Sequence, residues 1–168
     1  SIPIKKAEGA KEHIFPLQQH IGAPLDLLVE KGDYVYVGQP IASSDAFVSA
    51  PLHSSISGTV TKIAPHLHPS GAEVTSVFIE NDFKYTLYPE LKTYNPDEMS
   101  VEEMLKVVKD AGIVGMGGAG FPTHVKLSPP KDKTITHIIV NGAECEPYLT
   151  SDHRRMLEAP EKITGGLK

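Results

Sequence analysis

Two short stretches carry the residue types and spacings that chemistry needs. The first is Gly115-Met116-Gly117-Gly118-Ala119-Gly120-Phe121-Pro122-Thr123-His124-Val125-Lys126. Glycines at 115, 117 and 120 fit G-x-G-x-x-G, but a dinucleotide fingerprint also needs a strand leading straight in and a helix leading straight out. A capped helix precedes this loop instead, with only Ile113-Val114 between, which disfavours that reading. Residues without side chains still let backbone amides approach a phosphate. Pro122 suits the first turn of a helix whose positive end would face that phosphate, and Lys126 stands one turn further on as a point charge. The alternative is a tight turn between packed elements. The second stretch is Asn141-Gly142-Ala143-Glu144-Cys145-Glu146-Pro147-Tyr148, directly after an expected strand over residues 136–140. Ligands of open α/β sheets collect beyond the carboxyl ends of strands. An amide and two carboxylates there can accept from ribose or ribityl hydroxyls and from ring N–H groups. The alternative is a solvated loop with an incidental acidic pair.

The elements that must position these loops divide the chain into three stretches. Residues 2–80 read as β: short runs of Val, Ile and Thr, such as Leu27-Leu28-Val29, Tyr34-Val35-Tyr36-Val37, 58–63 and 74–79, separated by Gly, Pro, Ser and Asp. Residues 81–98 mix Pro89, Pro96, Asn95 and Asp97 with isolated tyrosines and read as an extended connector. From 99 to 168 the pattern is α/β. Ser100 with Glu103 matches a capping box, Val101, Met104, Leu105 and Val108 recur at helical spacing, and Gly112 ends the helix. A short helix over 122–127, the break Pro129-Pro130, the strand at 136–140 and a helix around 151–157 follow. The fold class is therefore mixed β and α/β: a small barrel-sandwich module, then the start of a Rossmann-like layer whose sheet is unfinished.

Composition narrows the function classes. The 168 residues are 40% hydrophobic and 22% charged, enough apolar surface to argue against wholesale disorder. The net charge of −5 offers no basic footprint for nucleic acid, and no apolar run approaches the length of a membrane span. The first residues, Ser-Ile-Pro-Ile-Lys-Lys, lack a signal peptide's apolar stretch. A single cysteine, Cys145, excludes an internal disulfide framework and any multi-cysteine metal site within this chain.

The segment Gly32-Asp33-Tyr34-Val35-Tyr36-Val37-Gly38-Gln39-Pro40-Ile41, followed by Ser49-Ala50-Pro51 and Ser57-Gly58-Thr59-Val60, resembles the biotinyl/lipoyl carrier fold. At the hairpin where a carrier presents its modified lysine, this chain has Ser43-Ser44-Asp45-Ala46-Phe47. Without an amine there is no amide link to a swinging arm, so a module used for assembly is expected. Other features have bland readings. His66 and His68 form an H-x-H without a third ligand, expected as a surface turn. Cys145 lies between two carboxylates that discourage its thiolate, and His124 and His137 lack an acid–base partner. The apolar stripe of the helix over 101–111 is expected to face a core.

Gly-x-Gly-Gly-x-Gly-Phe-Pro-Thr-x-x-Lys followed by Asn-x-x-Glu-x-Glu-Pro resembles the FMN-binding signature shared by the flavin subunit of respiratory complex I and the RnfC subunit of the Rnf complex. Asp152 and Arg154 after the second loop, and Phe15-Pro16-Leu17-Gln18-Gln19-His20-Ile21-Gly22-Ala23-Pro24 before the lysine-less module, are similar to the Rnf family. The resemblance implies a peripheral NADH- and FMN-binding subunit, on the cytoplasmic side of the cell membrane, of a complex that couples electron transfer between ferredoxin and NAD to ion pumping. It implies that Gly115, Gly117, Gly118 and Gly120 shape a phosphate loop and that Lys126 meets phosphate. Asn141 and Glu144 would contact FMN, with Glu146 near the flavin or the nicotinamide nucleotide. Ala143 stands where the complex I signature usually has an acidic residue, and Met116 replaces an arginine often found in the loop. The family continues past residue 168 to two [4Fe-4S] clusters, each needing four thiolates. The resemblance therefore implies an N-terminal fragment of a parent protein whose clusters lie outside this chain, with the other Rnf subunits as partners. The competing expectation is a non-catalytic assembly module with a structural glycine loop.

Overall fold

The computed structural model describes residues 2–130 and 132–167, in two compact units: Gly9–Pro130, and residues 2–8 with 132–167.

In the first unit, β-branched runs between glycine turns become seven antiparallel strands; β6 pairs β7 and β4 pairs β5 as neighbours in sequence, while β1 reaches β7, β3 reaches β6 and β2 reaches β4 across intervening chain. β1 (Glu12–Pro16), β7 (Glu73–Asn81), β6 (Gly58–Leu67) and β3 (Tyr34–Val35) form one sheet in the order β1-β7-β6-β3. β2 (Asp26–Leu27), β4 (Pro40–Ser43) and β5 (Leu52–His53) form the other in the order β2-β4-β5. The long β6–β7 hairpin turns where Gly71, at φ +85°, donates to His68 O at 2.8 Å. Its register pairs Val60 with Ile79 and Ile63 with Val77, and a bulge between Val60 and Lys62 shifts it. Side chains from both sheets share one core: Phe15, Val35, Val60, Val77 and Ile79 from the first meet Ile41, Val29 and Ile56, with Leu17, Leu52 and Ile63 at its margin. This is the barrel-sandwich architecture that the turn pattern implied.

Asn81 closes β7, and the strap after it, residues 82–98, is irregular, with left-handed backbone at Phe83 and Tyr85, but is laid along the β module by a bridge between Leu87 and Val37. Tyr88 N–H donates to Val37 O at 2.9 Å, Val37 N–H to Thr86 O at 2.9 Å, and Thr86 N–H to Ser57 Oγ at 3.0 Å. After a single 3-10 turn at Pro96–Glu98, α1 (Val101–Asp110) starts with the capping box intact. Glu103 N–H donates to Ser100 Oγ at 3.3 Å and Ser100 N–H to Glu103 Oε2 at 2.8 Å. Its apolar stripe is only half covered: Leu105, Val107 and Val108 are half-buried, Val101 and Met104 are exposed, and no α1 side chain joins the core. α1 packs against α2 (Thr123–Lys126).

In the second unit, α3 (Ser151–Glu158) and α4 (Pro160–Leu167) follow a stretch without regular structure. Glu158 joins Arg154 in an ion pair and accepts from Ile4 N–H at 3.0 Å, contacts that hold its carboxyl below the usual range. The strand expected over 136–140 does not form. Its residues are extended apolar types, but a strand is defined by ladder hydrogen bonds, and no described residue supplies them. Ile138 and Ile139 stand 75% and 88% exposed. The chain is thus of mixed β and α/β class, its α/β part represented by helices and an unpaired strand-like run. Among the described residues no helix is long and apolar enough to cross a membrane.

Candidate functional site

The glycine stretch forms a pinched loop. Its neck is closed by Gly115 N–H donating to Phe121 O at 2.9 Å, Thr123 N–H donating to Ile113 O at 3.0 Å, and a bridge between Val114 and Pro122. Beyond the neck, Met116, Gly117, Gly118 and Ala119 are exposed. The glycines are not equivalent. A Cβ at Gly118 would meet nothing, whereas one at Gly115 would lie 3.2 Å from Lys126 Nζ, so the ammonium rests directly against glycine backbone. Gly120 is required by packing. It has φ +67°, and a Cβ there would fall 2.7 Å from Gln19 O. Lys126 has no carboxylate partner among the described residues. α2 is one turn of four residues, too short to gather a helix dipole, so attraction for an anion falls to Lys126 and the loop amides.

The acidic stretch is organised around α3. Glu144 accepts from His153 N–H at 3.0 Å with one oxygen and from the Ser151 hydroxyl at 3.3 Å with the other. It thereby caps α3 from six residues before Thr150, whose own side chain makes no cap bond. Asn141 Oδ1 accepts from Ala143 N–H at 2.9 Å in a local turn. Gly142 lies under Met156, where a Cβ would be 3.0 Å from the sulfur. Glu146 is exposed, and Tyr148 holds φ +70° with its ring fully in solvent. Gly115, Gly117, Gly118, Gly120 and Lys126 thus fall in one compact unit, and Asn141, Glu144 and Glu146 in the other. Capping by Glu144 had no local signature, because position 153 is a histidine where a capping box has Glu or Gln.

Histidines the sequence left without roles acquire them. His124 is 3% exposed, with Nε2 at 2.8 Å from Phe47 O. The two residues are 77 positions apart, so no sequence window could join them. His66 sets its ring edge-on to Phe78 and His68 accepts from Ser70 N–H at 3.2 Å, strand and turn roles respectively. A cleft of about 240 Å³ beside the loop's neck is lined by His20, His53, Gly112 and Val114. Burial lowers the pKa of both imidazoles; at His53, hydrogen bonds to Pro51 and Asp110 oppose it. His20 Nε2 accepts from Ala50 N–H at 3.2 Å, which requires that nitrogen unprotonated.

Residues 1–84 match the RnfC barrel sandwich hybrid domain, and residues 108–168 match the Nuo51 FMN-binding domain. Curated relatives align along nearly the whole chain. The C subunit of a proton-translocating ferredoxin:NAD(+) oxidoreductase complex from Clostridium ljungdahlii is 49% identical over 167 residues, 99% of this chain and 36% of that protein. The C subunit of the Na(+)-translocating complex from Acetobacterium woodii is 45% identical over 168 residues, 99% of this chain and 38% of that protein. The C subunit of an ion-translocating oxidoreductase complex from Actinobacillus succinogenes is 39% identical over 170 residues, covering 24% of its length. The chain therefore spans between about a quarter and two fifths of the length of these relatives. With its β half matched by one family, its second half by the other, and C-subunit proteins aligned throughout, the chain belongs to the RnfC family.

Proposed function

We propose that this chain is the flavin-side portion of the peripheral NADH- and FMN-binding subunit of an ion-translocating ferredoxin:NAD oxidoreductase complex. In this reading the parent protein passes electrons between NAD(H), FMN and [4Fe-4S] clusters. The clusters belong to its other parts, since each takes four thiolates and this chain has one cysteine. The remaining subunits of the complex are its partners, and its place is the cytoplasmic face of the membrane.

The observation that carries the proposal is the Lys126 ammonium set against the backbone of Gly115, without a carboxylate to neutralise it among the described residues. Glycine backbone open on its outer side and an unneutralised cation fit a phosphate monoester, so the residues present are compatible with FMN. Gly117 and Gly118 would lend amides to the phosphate, Lys126 its charge, Gly115 the neck beside that charge, and Gly120 the loop's seat. Asn141 and Glu146 would take ribityl hydroxyls and ring N–H groups, and Glu144 would add a contact while capping α3. Bound FMN supplies the exchange between hydride transfer and single-electron transfer; the protein's share is position and electrostatics.

Titration of the full-length apo-protein with FMN tests this. Lys126→Ala is expected to weaken binding about tenfold, the scale of one lost charge-assisted contact. FMN should also slow amide exchange over residues 115–120. Unchanged affinity and unchanged exchange would remove the flavin reading. A second reading, an assembly module with a structural glycine loop, is favoured by the packing demand at Gly120. It expects capture of the other subunits to survive Lys126→Ala and Glu144→Ala while FMN has no effect.

A further inference from the structure

The β module ends in a tip, Ser43-Ser44-Asp45-Ala46-Phe47, where a carrier of this shape would hold its lysine. Here the tip is braced. The Ser49 hydroxyl lies within donating reach of Ala46 O (2.6 Å) and Ser44 O (3.1 Å), and Ala23 N–H donates to Val48 O at 3.0 Å. Two side chains from the helical segment reach it. Lys109 Nζ, on α1, donates to Ala46 O at 3.0 Å, and His124 Nε2, on α2, meets Phe47 O at 2.8 Å. A carbonyl only accepts, so Nε2 carries a proton in this contact. The imidazole also stands edge-on to the Phe47 ring, with centroids 5.6 Å apart at 85°. Its Nδ1 is buried without a partner among the described residues, which leaves Phe47 O as the ring's polar anchor.

His124 is placed where a shift would reach the proposed phosphate site. It lies between the loop's neck, closed at Phe121 and Thr123, and Lys126, within the single turn of α2. We propose that the lysine-less tip serves as a docking post for the glycine loop, and that His124 is a positioning residue for the phosphate group the loop takes. Through Phe47 O it holds α2 where Lys126 Nζ stands against Gly115. The hairpin that would swing in a carrier is thereby used as a fixed post. This inference rests on the flavin reading above.

The test uses the full-length protein with FMN as the probe, and measures dissociation constants together with amide exchange at residues 115–120. His124→Leu removes the donor and is expected to weaken FMN about five- to tenfold, the scale of one buried hydrogen bond. It should also speed exchange of the loop amides in the FMN-free protein. His124→Gln retains an N–H donor of similar reach and is expected to recover affinity to within about twofold. Equal affinity for the Leu variant and the wild type would overturn the proposal, and so would a Gln variant as weak as the Leu variant. If His124→Leu does not fold, Lys109→Met decides, because it cuts the other tether at Ala46 O. An affinity about twofold weaker is expected, on the scale of one part-buried hydrogen bond at a remove from the loop, and no change would overturn the post. Lys126→Ala run alongside separates the two readings. Should it leave FMN affinity unchanged, with FMN also failing to slow exchange at residues 115–120, the flavin reading of this loop itself fails; should it weaken FMN while His124→Leu does not, only the positioning role fails.

Discussion

The Gly9–Pro130 unit and the segment 132–167 contain Val, Ile and Leu in similar proportion but bury them differently. Every buried hydrophobic side chain among the described residues lies in the first, from Phe15 to Ile79, and none lies in the second. In an antiparallel hairpin each strand's partner follows directly across the turn, so β6 and β7 complete their ladder locally and offer a ready face to the core they share with the other strands. A strand of the kind expected over 136–140 takes parallel partners through crossovers of a dozen residues or more. Its side chains stay in solvent here, with Ile135, Ile138, Ile139 and Val140 all more than half exposed. Sequence pattern sets a propensity for strand, while ladder partners decide whether one exists.

The sharpest break of this contrast is expected in the β core. Ile79 is fully buried between sheet partners, and Ile79→Ala should cost about 2–5 kcal/mol in urea denaturation, from lost burial plus a cavity. A cost near that of a surface site would show the core to be looser than its geometry. Next comes the seat of the glycine loop. Gly120→Ala forces a side chain onto Gln19 O from a left-handed backbone and should cost about 1–3 kcal/mol, read as a lower urea midpoint. An unchanged midpoint would mean the loop is not seated on the β module in solution.

A smaller, pH-dependent effect is expected at Asp82, where the strap of residues 82–98 joins the β module. The Tyr34 hydroxyl, then Lys84 N–H and the Ser57 hydroxyl, hold its carboxyl below the usual range. A depressed folded-state pKa contributes stability that is fully present above the unfolded value, about 3.9, and is lost as pH falls through the folded value. Asp82→Asn should therefore lower the urea midpoint at neutral pH, with the gap to wild type closing at acid pH. A gap independent of pH would assign the loss to geometry and not to charge. The smallest effect is expected outside the core: Ile139→Ser should change stability by less than about 0.5 kcal/mol. A large loss there would mean that the run has found a partner in solution.

Much of the fold is legible because its determinants are local. The capping box at Ser100 and Glu103, the stop at Gly112 and the strands over 58–81 are set by residues within a few positions of one another. α4 escaped the sequence reading because Gly165 and Gly166 argue against a helix, while Pro160 at its start favours one. At the candidate site, the glycine and acidic loops announce themselves by composition, but the work of their members does not. Gly120 answers to Gln19, Glu144 to α3 and His124 to Phe47, each across a separation that no periodicity encodes.

By itself the sequence determined the family, the strand-rich first half, the helix start at 101, that of the short helix to within one residue (122 against 123), and the missing lysine at the hairpin tip. These follow from motifs, caps and glycine turns, whose physics acts over one or two turns of chain. Tertiary structure alone decided that the strap lies on the β module, that the hairpin tip braces α2, and that residues 136–140 stay unpaired. Those outcomes turn on whether a hydrogen-bonding or apolar partner from a distant position arrives within reach, and only the folded chain brings such partners together.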